Sequence, residues 1–177
     1  MRKVFLLMAL VSFFGVILAG NFFACSENQY DADAVGEGII NAIGPELVDS
    51  TGETTSSDVL VDKDYLVLYF SAEWCPPCRQ FTPKLVNFYD EYAEKGNLEV
   101  IFISADRSVS EMYEYMEAYD MKWLAVPYDR RDQSGLAQKY GLRGIPRLVA
   151  VDAGENVVID SEMDGPVEML DELAGMF

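Results

Sequence analysis

The stretch Phe70-Ser-Ala-Glu-Trp-Cys-Pro-Pro-Cys-Arg79 decides the fold, because it joins two segments of different periodicity. Before it, Tyr65–Phe70 is a continuous apolar run of strand length, as expected for a central strand buried on both faces. After it, Arg79–Ala93 repeats apolar residues at the spacing of one helix face, and Pro83 is predicted to kink that helix. Both cysteines therefore lie where a buried strand passes into a helix.

Strands and helices alternate along the rest of the chain. Leu98–Ile103 predicts a second buried strand, and Ser108 with Glu111 fits a capping box that opens another helix. Three later segments are a short helix, a β-hairpin and a last helix, at 133–140, 148–159 and from Pro166 onward. The order β-α-β-α-α-β-β-α predicts an α/β sandwich with helices flanking a central mixed sheet.

Composition narrows the possible functions. The chain has 177 residues, half of them hydrophobic, and its 13 basic and 30 acidic residues give a net charge of −17. Such an acidic domain repels phosphate backbones, so we expect no nucleic-acid binding. Histidine is absent, and three cysteines are too few for a Cys₄ zinc site or an iron–sulfur cluster held by one chain. We therefore expect no bound metal ion, and we predict no separate cofactor.

The Cys75–Cys78 pair carries the predicted chemistry. At this spacing two thiols can close a disulfide across one helical turn. Cys75 falls at or near a helix N-terminus, where unpaired N–H groups and the macrodipole should lower its pKa. Cys78 should be more buried, so Cys75 would attack a substrate disulfide and Cys78 would resolve the mixed disulfide. Pro76 and Pro77 contribute no N–H group and suit a helix start.

Two other uses of a CxxC pair were weighed. A zinc site needs a second cysteine pair, which this chain lacks. A purely structural disulfide stays open, although so small a ring constrains little of the unfolded chain and stabilises little. Redox activity is the favoured interpretation.

These residues resemble the active-site stretch of the thioredoxin superfamily, and the Trp-Cys-Pro-Pro-Cys form is similar to its tryparedoxin and nucleoredoxin branch. Three further segments match that branch in the same order: Ser104–Arg107, Trp123–Tyr128 and Gly144–Pro146. The resemblance covers about Leu47–Leu173. It implies a thioredoxin-like three-layer α/β sandwich and a thiol–disulfide oxidoreductase, most simply a reductant of protein disulfides.

The resemblance also assigns residues to the site. Pro146 would be a cis-proline facing the disulfide, and the backbone of Ile145 would pair with a substrate peptide. Trp74 would form a flat apolar rim for docking, and Pro76 and Pro77 complete the expected substrate-contact set.

Four positions near the predicted site need separate interpretation. Tyr69 stands where many thioredoxins carry a buried Asp that accepts a proton. Glu73 and Asp106 are alternative acceptors, although a solvated surface role is favoured for both. Arg147 follows Pro146 where the branch usually has Thr, and it either reads an acidic substrate or offsets local charge. Trp123 is expected to pack near the site without touching substrate.

The first 24 residues have the pattern of a secretory signal, with Arg2 and Lys3 before the apolar run Val4–Ala19. Ala24-Cys25 resembles a bacterial lipoprotein box, in which Cys25 would become the lipidated first residue of the mature chain. An uncleaved membrane anchor and ordinary cleavage near Ala19 or Ala24 are the alternatives. All three place the rest of the chain outside the cytoplasm.

We therefore predict a lipoprotein-type signal peptide at 1–24, a tether at 25–46 and a thioredoxin-like domain at 47–177. A short helix near Val35–Ile43 is considered within the tether, and the Ser/Thr/Gly-rich stretch Asp49–Asp58 is predicted to be a loop. The domain would be a monomer on the periplasmic side of a bacterial membrane, anchored through Cys25. Its partners would be disulfide-bearing proteins and, for a reductant, a membrane electron donor. An oxidant or disulfide isomerase on the same cysteines, and a non-catalytic binding module, remain alternatives, because sequence does not give the reduction potential.

Overall fold

The computed structural model describes residues 37–177, except for the side chains of Glu37, Met163 and Asp164. The predicted signal peptide, Cys25 and the first part of the predicted tether lie outside the described residues. The strands are β1 (Glu46–Val48), β2 (Thr54–Ser56), β3 (Tyr65–Ser71), β4 (Leu98–Ser104), β5 (Leu124–Ala125), β6 (Arg147–Asp152) and β7 (Val157–Asp160). The helices are α1 (Glu37–Ile43), α2 (Pro76–Tyr92), α3 (Val109–Ala118), α4 (Leu136–Lys139), α5 (Ser161–Asp164) and α6 (Pro166–Ala174), with a 3₁₀ turn at Ser57–Leu60.

The strands form one mixed sheet in the order β2-β1-β5-β4-β3-β6-β7. Strands β3, β4 and β5 are parallel neighbours, whereas β6 runs antiparallel to β3 and β1 runs antiparallel to β5. Ser71 pairs with Ser104, and Phe70 pairs with Arg147. The ends of β3 and β4 therefore meet the start of β6 at one edge of the sheet. We call it the dithiol edge, because β3 leads from there into Cys75.

Both faces of the sheet are covered, as the continuous apolar run of β3 predicts. Val67 and Tyr69 belong to the core packed under α2, α3 and α6. Leu66, Leu68 and Phe70 belong to a second core under α1 and α4. The predicted three-layer thioredoxin-like sandwich with a central mixed sheet is confirmed.

Helix α1 agrees with the short helix considered near Val35–Ile43, but it packs onto the domain, whereas its residues were predicted to belong to a tether. Ile39 and Ile43 are fully buried in the second core. The Ile39 backbone N–H donates a 3.1 Å hydrogen bond to Glu155 in the β6–β7 turn, and Lys139 pairs with the same carboxylate at 2.9 Å. The folded part of the chain thus includes residues 37–46, because two buried isoleucines give this segment an apolar face.

The start of α2 agrees with the prediction, whereas two other segments differ from it. Helix α2 begins at Pro76 with Cys75 as its N-cap residue. Strand β2 lies within a Ser/Thr-rich stretch predicted as a loop, where it pairs antiparallel with β1. Helix α4 starts only after Gly135, whose φ of +65° interrupts the predicted helix. Within residues 37–177, no helix is both long and apolar enough to span a bilayer.

Candidate active site

Cys75 and Cys78 form a disulfide at the start of α2, with Cα atoms 5.2 Å apart. Cys75 is the N-cap residue of the helix and Cys78 lies in its first turn. The accessible fraction is 4% for Cys75 and 0% for Cys78. Cys75 thus lies at the helix N-terminus and Cys78 within the first turn, as expected, and Cys78 is the more buried of the two.

The two prolines determine which N–H group reaches the Cys75 sulfur. Pro76 and Pro77 have no backbone N–H, so the first donor within the helix belongs to Cys78. This N–H lies 3.3 Å from Cys75 Sγ and donates to it. In the reduced protein the same donor, together with the helix dipole, would favour a thiolate at Cys75.

The Ile145–Pro146 peptide bond is cis, as the resemblance implied. The carbonyl oxygen of Ile145 lies 3.7 Å from Cys75 Sγ, and the Ile145 side chain packs on the small cluster that includes both cysteines. A cavity of about 250 Å³ opens beside this turn, lined by residues 143–147, Ser161 and Glu162. The cis-proline turn thus forms the second wall of the site.

Trp74 stands at the rim, 40% exposed, with its Nε1–H donating to the Ala105 carbonyl at 3.0 Å. This hydrogen bond joins the residue before Cys75 to the end of β4. Pro76 and Pro77 are exposed, and Ile145 and Pro146 are half-buried. The structure thus places the predicted substrate-contact residues around one disulfide, while the predicted lipidation residue, Cys25, lies outside the described part.

Tyr69 replaces the buried Asp of many thioredoxins, and it begins a chain of buried hydroxyl groups. Its hydroxyl lies 2.8 Å from Thr82 Oγ1, which also contacts the hydroxyl of Tyr115. The Tyr115 hydroxyl lies 3.0 Å from Ser71 Oγ. Burial raises the pKa of Tyr69 far above its ordinary value, so this phenol stays neutral and is no substitute for a carboxylate acceptor.

The hydroxyl chain ends on the backbone carbonyl of Cys78. Thr82 Oγ1 lies 2.8 Å from the backbone carbonyl of Cys78, which can only accept, so Thr82 donates its one hydrogen there. Sequence reasoning missed Thr82, Ser71 and Tyr115. Two signals were present: a tyrosine in an otherwise apolar central strand, and a threonine four residues after Cys78.

Asp106 is buried, which contradicts the solvated surface role that the sequence favoured. It is 2% exposed and accepts two 2.7 Å hydrogen bonds, from the Glu73 backbone N–H and from Ser104 Oγ. Burial raises its pKa despite these bonds. Glu73 itself is half-exposed and pairs with Arg79 at 3.1 Å. Asp106 therefore fixes the backbone that leads to Trp74 and Cys75.

Arg147 offsets local charge, which resolves the two interpretations left open by the sequence. It is 5% exposed and donates to both carboxylate oxygens of Asp160, at 3.0 and 2.7 Å. A further bond reaches the Gly141 carbonyl at 3.1 Å. With its donors engaged inside the protein, Arg147 is not placed to read a substrate.

Trp123 is buried in the core behind the site, as expected. Its ring makes edge contacts with Tyr69 and Tyr89 and lies apart from the exposed rim. Among the described side chains, no group of three cysteines or carboxylates is arranged to hold a metal ion.

Comparisons with known proteins agree with this geometry. A family model described as Thioredoxin-like matches residues 62–157. Tryparedoxin of Trypanosoma brucei brucei is 39% identical over 117 residues, which are 66% of this chain and 78% of that protein. Human nucleoredoxin is 41% identical over 131 residues, which are 73% of this chain but 28% of that protein. The chain thus spans less than a third of the nucleoredoxins that it matches.

Solved structures of tryparedoxins are also similar to this chain. Tryparedoxin II of Crithidia fasciculata superposes with a TM-score of 0.65 and 32% identity, covering 76% of this chain and 91% of that one. Tryparedoxin I of Leishmania major gives a TM-score of 0.66 and 30% identity, covering 79% and 96%.

The fold, the cis-proline turn and the cysteine pair define a thioredoxin-type redox site. The chain belongs to the thioredoxin-like family, in which tryparedoxins and nucleoredoxins are its relatives. It is a redox protein of that family, with Cys75 and Cys78 at disulfide distance.

Proposed function

We propose that the protein is a thiol–disulfide oxidoreductase that reduces disulfides of other proteins outside the cytoplasm. The observation that carries this proposal is the asymmetry of the pair: Cys75 caps α2 and is 4% exposed, whereas Cys78 is fully buried. A nucleophile that keeps a small exposed surface, backed by a fully buried resolving thiol, is the arrangement that disulfide exchange requires.

The reaction consumes the reduced pair. The Cys75 thiolate attacks one sulfur of a substrate disulfide, a mixed disulfide forms, and the first substrate thiol leaves with a proton. The Cys78 thiolate then attacks Cys75 Sγ and releases the second substrate thiol. The substrate gains two electrons, and the protein is left with the Cys75–Cys78 disulfide seen in the structure. A dithiol donor must then reduce the protein again.

Substrate would bind along the cis-proline turn. Within the described residues, neither the N–H nor the carbonyl of Ile145 makes a hydrogen bond to another backbone group. A peptide could add to this free edge as a strand, which would bring its disulfide to Cys75, 3.7 Å from the Ile145 carbonyl oxygen. The adjoining cavity would take a neighbouring side chain of the peptide.

Location and electron supply extend the proposal. The apolar N-terminal run and Ala24-Cys25 support export and lipid attachment at Cys25. A reductant outside the cytoplasm needs electrons from across the membrane, so we include a membrane dithiol donor. Replacing Cys25 by Ser should abolish labelling by a fatty-acid probe. A mature chain that keeps an unmodified Cys25 within a longer sequence would contradict lipidation.

Mixed-disulfide trapping tests the chemistry. The Cys78→Ser variant should accumulate mixed disulfides with substrate proteins, because the attacking thiol remains while the resolving one is lost. The Cys75→Ser variant, its matched control, should trap none and lose reductase activity with insulin as substrate. Adducts on Cys75→Ser would reverse the roles. A redox titration decides direction, since a potential near −120 mV, typical of strong oxidants, would favour the oxidant alternative.

A further inference from the structure

Arg107 is held at the rim of the site by bonds to its own backbone and to that of its neighbour. Its N–H donates to Glu111 Oε2 at 3.0 Å. The preceding carbonyl, that of Asp106, accepts from the Tyr128 hydroxyl at 3.2 Å. The Arg107 guanidinium lies 5.3 Å from the centre of the Trp74 ring. An exposed cation is thus held against Trp74, the residue that precedes the attacking cysteine.

Other cations around the disulfide are neutralised, whereas this one is not. Arg79 pairs with Glu73 at 3.1 Å, and Arg147 pairs with Asp160 at 2.7 Å. Within residues 37–177, no described carboxylate oxygen lies within 4.0 Å of the Arg107 guanidinium. The adjacent Asp106 uses its carboxylate on the Glu73 N–H and on Ser104, and Glu111 uses its carboxylate on the Arg107 backbone N–H. An unpaired arginine at the site is notable in a chain with 30 acidic and 13 basic residues.

The guanidinium of Arg107 keeps its N–H donors available. Its carbon lies over the Trp74 ring at cation–π distance, and among the described residues no hydrogen bond or ion pair engages its N–H groups. A guanidinium with free donors matches a carboxylate, with which it can form two parallel charge-assisted hydrogen bonds. Contact with the Trp74 ring also limits the rotamers of Arg107, so less side-chain freedom is lost when an anion binds.

We propose that Arg107 is a specificity-determining residue that binds a carboxylate on the substrate, so that the preferred substrates are peptides with Asp or Glu beside the attacked cysteine. This inference rests on the proposed reductase function. It adds a substrate class to the cysteine chemistry, because Trp74 and Arg107 together border the place where a substrate sulfur must approach Cys75.

Matched peptide disulfides test the inference. Three peptides differ only in carrying Glu, Gln or Lys next to the attacked half-cystine, and kcat/KM is measured for each. The wild-type protein should prefer the Glu peptide over the Lys peptide about tenfold, and the preference should shrink with added NaCl. Arg107→Gln should reduce the preference to about twofold or less, and Arg107→Glu should reverse it.

Lys84→Gln is the control, because Lys84 is an exposed cation on α2 away from the rim, and this variant should keep the tenfold preference. Equal rates for the three peptides with wild-type protein would overturn the inference. A preference that survives in Arg107→Gln would overturn it as well.

A binding measurement separates this inference from the proposed function. Peptides in which Ser replaces both cysteines cannot react, and their affinity for the oxidised protein is measured by calorimetry. Tighter binding of the Glu peptide that Arg107→Gln abolishes would support carboxylate recognition even if no disulfide is reduced, in which case the proposed reductase function alone fails. Equal affinities for the Glu, Gln and Lys peptides would overturn the role of Arg107.

Discussion

The hydroxyl of Tyr115 donates its hydrogen bond to Thr82, and the direction follows from the groups around it. Thr82 has one hydrogen and gives it to the Cys78 carbonyl, 2.8 Å away. Thr82 Oγ1 can therefore only accept from Tyr69 and Tyr115, while Ser71 donates to Tyr115. The hydrogens of four hydroxyl groups are thus directed toward the backbone carbonyl of Cys78, an arrangement in which each bond strengthens the next.

Removing the Thr82 hydroxyl should lower the free energy of unfolding more than removing only the Thr82 methyl group. Thr82→Val leaves two buried tyrosine hydroxyls without their acceptor and the Cys78 carbonyl without this donor. We therefore expect the free energy of unfolding to fall by about 1–3 kcal/mol. Thr82→Ser keeps the hydroxyl and should lose clearly less. Urea unfolding measures both values, and equal losses would show that the methyl group matters and the network does not.

Tyr115→Phe tests the same network from α3. The buried hydroxyl is lost and Ser71 loses its acceptor, so we expect about 1–3 kcal/mol of destabilisation by thermal or urea unfolding. Tyr119→Phe is the matched control on the same part of the chain, because the Tyr119 hydroxyl makes no hydrogen bond among the described residues. Comparable losses in both variants would count against the network.

Asp106→Asn should change how stability depends on pH. Burial raises the pKa of Asp106 above its ordinary value of 3.8, so above pH 3.8 the unfolded chain gives up this proton more readily than the folded protein. The stability of wild type relative to Asp106→Asn should therefore fall as pH rises from 3.8, and level off above the raised pKa. Urea unfolding at a series of pH values measures this difference.

The Asn side chain can still accept from the Glu73 N–H, so the variant should fold. Asp132→Asn, at an 89% exposed carboxyl, controls for the loss of one charge. A relative stability of wild type that instead rises with pH would contradict the assigned direction.

Arg147→Met should destabilise the domain because it leaves the Asp160 carboxylate without its partner. Losing one partner of a buried pair costs about 3–5 kcal/mol, and we expect the lower end because Asp160 is 22% exposed. Burial opposes ionisation of Asp160, but its bonds to Arg147 outweigh burial and lower its pKa below 3.8. The stabilisation is therefore present above pH 3.8 and is lost as pH falls through the lowered pKa.

Arg143→Met is the control, since its side chain is 87% exposed and reaches Glu162 only at 3.7 Å. It should change the free energy of unfolding by less than about 1 kcal/mol. Similar losses for the two variants at neutral pH would show that Arg147 is not the buried partner described.

Ile39→Ala should show that α1 belongs to the folded domain. Deleting a fully buried isoleucine side chain costs about 2–5 kcal/mol. Ile40→Ala, one residue on and half-buried, should cost less and serves as the control. If both substitutions are neutral in urea unfolding of the full chain, α1 contributes nothing to the domain.

The central architecture could be predicted because its signals are strong and local. Tyr65–Phe70 and Leu98–Ile103 are apolar on both faces, and the observed strands β3 and β4 extend each by a single residue. The capping box at Ser108 is present as a hydrogen bond from the Glu111 N–H. In a capping box the Glu side chain accepts from the N–H of the cap residue, here Ser108. The Glu111 carboxylate instead accepts from the N–H of Arg107, one residue earlier.

The features that were missed depend on contacts distant in sequence. Strand β2 is polar and exists because it pairs with β1, and no periodicity in a Ser/Thr-rich stretch signals such pairing. Asp106 has the sequence context of a surface acid, but it is buried and accepts a hydrogen bond from the backbone of Glu73, 33 positions earlier. Arg147 finds its partner 13 residues later, across the β6–β7 hairpin. Sequence identifies such groups, but only the fold tells which charges are paired.

The position of α1 bears on how the molecule would stand on a membrane. Its first turn is held by Glu155 in the β6–β7 turn, and Asp152 there pairs with Tyr65, at the end of β3 far from the dithiol edge. Cys25 precedes α1 by 37 − 25 = 12 residues, which reach at most about 40 Å. If Cys25 carries lipid, the chain joins the domain at the pole opposite Cys75. The point of attachment, at residue 37, lies at the opposite end of β3 from the disulfide and leaves the rim around Trp74 unobstructed.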